Sequence, residues 1–128
     1  MSTIIADNLT GKTSAGSVTV TSEGGAATQS LQQGLAKAWT VNASSSAGTV
    51  GDSLNNSSFS DVGVGQTEIT LTNPMSTATD WCVAQGSTSA YPYICGALTS
   101  TTHRLHTVNG TGTFSDGSSN GQVTGDLA

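Results

Sequence analysis

Within residues 66–75, QTEITLTNPM, the stretch 68–72 alternates strictly in polarity. Ile69 and Leu71 fall on one face, and Glu68, Thr70 and Thr72 on the other. A two-residue period is the mark of a half-buried β-strand. Short runs of the same kind recur: WTVNA (39–43), AGTV (47–50), DWCVAQ (80–85), YPYICGALTS (91–100), HRLHTVN (103–109) and TGTFS (111–115). Each is closed by Gly, Asn, Asp, Ser or Pro, so strands alternate with turns along most of the chain. In DSLNNSSFSDVGVGQTEITLTNPM the segment SDVGVGQ supplies a hairpin turn and Pro74 ends the second strand. The fold class that follows is all-β: a sandwich or jelly-roll-like domain with an extended N-terminal arm and one short helix.

The helix is the exception in this pattern. In SLQQGLAKAW, Ser30 and Gln33 match a capping box, which satisfies free amides at a helix start. Leu31, Leu35 and Ala38 share one face at helical spacing, and Lys37 sits in the last turn, where a cation suits the dipole. Gly34 costs about 1 kcal/mol relative to Ala in a helix interior, but it lets another backbone come close. So short a helix is not stable alone in water and must dock. Leu31, Gly34, Leu35, Ala38 and Trp39 are therefore the candidates for a subunit interface.

These signals divide the chain into an attachment arm (1–28), a helical junction (29–39), a β-domain (40–115) and a Gly/Ser-rich tail, flexible or held by a partner (116–128). The arm carries STII and SVTVTSE, too few apolar residues for a core of its own, and could add a strand to a neighbour. Apolar residues make up only 34% of the chain. A core that thin for its length implies that subunit contacts supply part of the stability.

Charge narrows the partners. Lys12, Lys37 and Arg104 are the cations, against a net charge of −5. Nucleic-acid binding needs clustered Lys and Arg, and an anionic membrane surface makes the same demand. No apolar run approaches the length of a membrane span. MSTIIADNLTGK lacks a basic region followed by an apolar one, so the expectation is synthesis in a cytoplasm without a secretory signal.

Little in the chain proposes catalysis. The carboxylates are scattered, and Asp52, Asp61, Asp80 and Asp116 lie beside turn signals. No nucleophile elbow, phosphate loop or dinucleotide fingerprint is present. The expectation is a protein that is not an enzyme and holds no cofactor and no metal. His103 and His106 are three apart, which on a strand sends them to opposite faces. Asn8, Asn42, Asn55, Asn56 and Asn109 open N-x-S/T triplets, which this composition yields by chance. Cys82 and Cys95 flank a Gly/Ser turn and leave two readings open, a disulfide across a hairpin or two buried thiols. Trp81, Tyr91 and Tyr93 fit core or interface packing; the sharper reading is a platform for stacking on sugar rings.

The order of landmarks in LQQGLAKAW and DSLNNSSFSDVGVGQTEITLTNPM resembles a segment of virion structural proteins from marine tailed phages. Those include tail fibres, appendages and small capsid-associated proteins. The matching positions are Leu35 to Trp39, Asp52 to Asn55, Ser57 and Ser58, Asp61, Gly63, Gly65, Thr72, Asn73 and Met75. The similarity spans residues 1–83; the segment beyond Trp81 has no counterpart, and TVNASSSAG replaces a longer Asn- and Gly-rich run. The resemblance implies a homotrimer resident in the virion, acting as a capsid decoration protein or a short fibre and contacting other capsid or tail proteins. A host-surface glycan-binding module is the alternative, and a glycan-degrading enzyme a third reading.

Overall fold

The computed structural model describes residues 3–13, 18–25, 27–44, 49–79, 81–87 and 91–127. The side chains of Gln32, Gln33, Asn42, Ser44, Tyr93, Ile94, Cys95 and Ala97 lie outside that description. The chain forms two compact units, residues 1–35 and 36–128.

In the first unit, residues 3–13 have no regular secondary structure. Strands β1 (Thr19–Thr21) and β2 (Thr28–Ser30) pair antiparallel, Val20 opposite Gln29. Ser22 organises their turn: its hydroxyl accepts from Ala27 N (3.2 Å) and its carbonyl from Gly25 N (2.8 Å). The helix expected over 29–39 is cut to a single turn, α1 (Leu31–Gly34).

The physical reason lies in the second unit, where the chain is already being drawn into a sheet. Lys37 N donates to Val123 O at 2.8 Å, and Ala38 and Trp39 stand opposite Val123 and Gln122. Sheet hydrogen bonds and complete burial of Ala38 outweigh the few tenths of a kcal/mol per residue that helix propensity offers.

Residues 36–128 form a sandwich of two four-stranded antiparallel sheets. The strands are β3 (Ala38–Ser44), β4 (Asp52–Leu54), β5 (Asn56–Gly63), β6 (Gln66–Leu71), β7 (Trp81–Ser87), β8 (Tyr91–Ala97), β9 (Thr102–Val108) and β10 (Ser118–Gly125). One sheet has the order β4-β3-β10-β7, the other β5-β6-β9-β8. Ile69 and Leu71 point inward as the alternation predicts, and the facing residues close the core. One cluster is Ala38, Leu71, Met75, Trp81 and Val123; the other is Ala43, Ile69 and Leu105, with Phe59 against it.

The tail is the largest departure from the sequence reading. Ser118–Gly125 is no loose end but an interior strand, paired with both β3 and β7. Two of its three buried positions, Ser119 and Gly121, are small: a side chain on Gly121 would meet the Leu105 methyls at 3.1 Å. A strand that must lie under Leu105 needs small residues, and that makes it read as a linker. Of the other expected strands, TGTFS contributes only a bridge between Phe114 and Val108. AGTV falls partly on residues outside the description, and the strand there is β4 instead.

The motif residues act as corner posts. Asn55, at φ 58°, turns the chain from β4 into β5, and so from one sheet to the other. Its side chain donates to Lys37 O (3.1 Å) and accepts from Asn73 N (2.8 Å) and Asn73 Nδ2 (2.9 Å). Asn56 Nδ2 reaches across to Trp39 O (2.8 Å) and Thr40 Oγ1 (3.1 Å). Asp61 accepts from Gly63 N at 3.0 Å, and Gly65, at φ 67°, makes the β5–β6 turn. Met75 is a core residue.

Candidate functional site

The expected glycan residues separate. Trp81 is buried in the core, its ring edge-on to His103 with centroids 5.6 Å apart, so it offers no face to a ligand. The period of β7 turns it inward, next to the exposed Cys82. Tyr91, at the start of β8, is exposed. The Tyr93 side chain lies outside the described residues.

The two histidines lie on opposite faces of β9, as expected for a strand. His103 is buried with Nδ1 lacking a protein partner, and burial pushes its pKa down to about 4. His106 faces outward, edge-on to Phe114; partial burial and then the Arg104 charge lower its pKa. Among the described residues no three His, Cys, Asp or Glu side chains gather as metal ligands would.

Cys82 is an exposed free thiol, which corrects the disulfide reading. Its Sγ shares a 3.1 Å hydrogen bond with Thr124 Oγ1 on the neighbouring strand. The cause is again period two: Cys82 alternates with the inward Trp81 and so faces away from the β5-β6-β9-β8 sheet, to which Cys95 belongs by its backbone. The Cys95 side chain itself lies outside the described residues.

The interface candidates also part company. Ala38 is wholly buried in its own subunit's core and is unavailable to a partner. Leu31 is half-buried, Gly34 is exposed, and Leu35 is exposed. The continuous helical face joining Leu31, Leu35 and Ala38 does not exist, because only the first of the three lies in α1. Trp39, between buried Ala38 and Thr40, points to the outer face of its sheet.

The two outer faces of the sandwich differ in chemistry. That of β5-β6-β9-β8 carries an ion pair: Arg104 Nη2 and Nε donate to Glu68 Oε2 at 2.7 and 3.2 Å. That of β4-β3-β10-β7 has a central row without charge. Leu54, Trp39, Gln122 and Ala84 stand side by side across the four strands. Beside that row is a shallow hollow of about 380 Å³, walled by Trp39, Val41, Asn120 and Gln122 and floored by Ala84 and Gly86. It exists because β7 places an alanine and a glycine where larger residues would fill the surface. The sequence pattern put Trp39 both at the end of the helix and at the start of the strand WTVNA, but the hollow also needs β7 and β10 beside it, which no local run records.

Comparison with known proteins returns no match: no family model, no curated protein and no solved structure matches the chain.

Proposed function

We propose that this chain is a structural protein of a tailed-phage virion, without enzymatic activity. It acts as a homotrimeric capsid decoration protein, or as a short fibre or appendage protein, and works by burying surface between subunits. The observation that carries the reading is the state of the first unit. Ile4, Ile5 and Leu9 are 86%, 93% and 66% exposed, on a segment with no regular secondary structure. Three bare apolar side chains within six residues gain much by docking, roughly 1.5–3 kcal/mol each on full burial. An arm of that kind suits attachment to a larger assembly, and the motif resemblance supplies the class of assembly. Leu31, Gly34 and Leu35, all in the first unit, remain the proposed contacts between copies.

The test is direct. Mass spectrometry of purified particles should detect the chain, and immunogold microscopy should place copies on the shell or on the tail. Particles free of the chain would sink the proposal. Ile4→Asp, Ile5→Asp and Leu9→Asp together should prevent incorporation while leaving the melting of the sandwich unchanged. Native mass spectrometry should give a trimer; a stable monomer would remove the trimer from the reading.

A further inference from the structure

We propose that the hollow on the outer face of the β4-β3-β10-β7 sheet is a binding site for a neutral glycan, with Trp39 as its stacking surface. Glycan recognition at Trp81 fails because that ring is in the core. Trp39 meets the requirement that Trp81 does not. It is an outward-facing indole on an interior strand, and its backbone is held by pairing to β4 on one side and β10 on the other. A rigid aromatic face is what the apolar C–H face of a pyranose ring stacks on.

Three further observations select this class of ligand. The lining carries no charged side chain, and the residue opposite Val41 on β4 is the acidic Asp52, so an anion finds no counter-charge there. Asn120 and Gln122 lie on the same face of β10, two residues apart, and both border the hollow. An amide offers a donor and an acceptor together, which suits hydroxyl groups that are themselves both. The volume, about 380 Å³, lies near the lower end of the range for small-molecule sites. The open floor at Ala84 and Gly86 lets a chain of sugars run across the sheet instead of requiring an enclosed monosaccharide. The proposal does not depend on the virion reading, since it concerns what the isolated protein binds.

The test uses the full chain against an immobilised panel of neutral oligosaccharides built from glucose, galactose, mannose and N-acetylhexosamines, with sialylated and sulfated members alongside. Binding to neutral members is expected. Trp39→Ala should weaken it by about tenfold or more, and Tyr91→Ala should leave it unchanged. Gly86→Val provides a variant that raises the floor of the hollow and obstructs it without disturbing the fold, because a Cβ there has nothing within 4 Å. It should abolish binding with no loss of thermal stability. The proposal is overturned if no neutral glycan binds, or if binding survives both Trp39→Ala and Gly86→Val. A preference for the charged members overturns it as well. So does a fall in oligomeric state with Trp39→Ala in the absence of any glycan binding, which would make this face a contact between copies.

Discussion

Asn55 and Asn73 are joined by two hydrogen bonds into one oxygen: Asn55 Oδ1 accepts from the backbone N of Asn73 at 2.8 Å and from its Nδ2 at 2.9 Å. The backbone closes the same link, Thr72 N donating to Asn55 O at 3.0 Å. This ties the corner between β4 and β5 to the end of β6. Asn55 also sits at φ 58°, a left-handed conformation that Asn adopts more readily than Ala. Asn55→Ala should therefore lower unfolding free energy by about 3 kcal/mol, from lost hydrogen bonds and backbone strain together. Asn55→Gly keeps the backbone freedom and loses only the bonds, so it should cost about 1 kcal/mol less. Equal losses in urea titrations of the two variants would show that the backbone conformation contributes nothing.

Gly65 and Gly112 make a matched pair at φ 67° and φ 80°. A Cβ on Gly65 would collide with Thr107 O and lie 2.8 Å from Ser115 N, whereas one on Gly112 meets nothing within 4 Å. The crowding follows from the turn's anchoring. Gly65 N donates to Asp116 Oδ1 at 2.7 Å, and Gly65 O accepts from Thr107 N at 2.8 Å. Gly112→Ala should cost only the left-handed backbone penalty, about 1–2 kcal/mol. Gly65→Ala adds backbone displacement and should exceed about 4 kcal/mol or prevent folding. Thermal melts of the two purified variants, or the failure of one to express in soluble form, read the difference.

His103 makes the sandwich acid-sensitive. Its pKa falls from 6.5 to about 4 on folding, caused by burial among Trp81, Ile69 and the surrounding core. The folded state thus binds the proton more weakly than the unfolded chain does. Stability from this group is complete above pH 6.5 and declines as pH falls from there toward 4. Between pH 7 and pH 5 the loss should be about 2 kcal/mol. His106 shifts in the same direction from the opposite face, so a control is needed. Denaturant titrations at several pH values should show a slope in the wild type that is reduced in His103→Leu and largely kept in His106→Gln. A slope unchanged by His103→Leu would refute the assignment.

What the sequence made legible follows from where its apolar residues lie. The β6 strand was readable because Ile69 and Leu71 alternate with polar residues and face a core. The same period located β3, β7, β8 and β9 to within a few residues. Strand β10 was not readable, since of its inward positions Ser119, Gly121 and Val123 only the last is a sizeable apolar residue, and one such residue makes no alternation. The helix signal in SLQQGLAKAW was locally sound, but long-range pairing of Ala38 and Trp39 with β10 overrode it. Asn55, Asn56 and Asn109 read as compositional background, yet the first two pin the sheets together. Asn109 Oδ1 caps its turn by accepting from Thr111 N and Thr113 N, both at 3.0 Å. Such roles depend on partners 17 or 18 residues away, or on an individual turn geometry, neither of which a linear pattern records. The hollow beside Trp39 was hidden for the same reason: its walls come from three strands distant in sequence.

Cys82 offers a probe of strand orientation that needs no substitution. It is exposed and lies on the same outer face as Ala84 and Gln122, with Thr124 Oγ1 at 3.1 Å from its sulfur. A thiol there should react with a maleimide in the native protein, without denaturant, and peptide mapping should place the label on Cys82. Because Cys82 and Thr124 share a register position next to the row holding Gln122, a bulky label should also reduce access to the Trp39 hollow. Cys82→Ser should abolish that label and cost less than about 0.5 kcal/mol, as expected for an exposed position with one weak hydrogen bond. Complete resistance of Cys82 to labelling, reversed only by a reductant, would instead establish the disulfide with Cys95 and require β7 to present its opposite face.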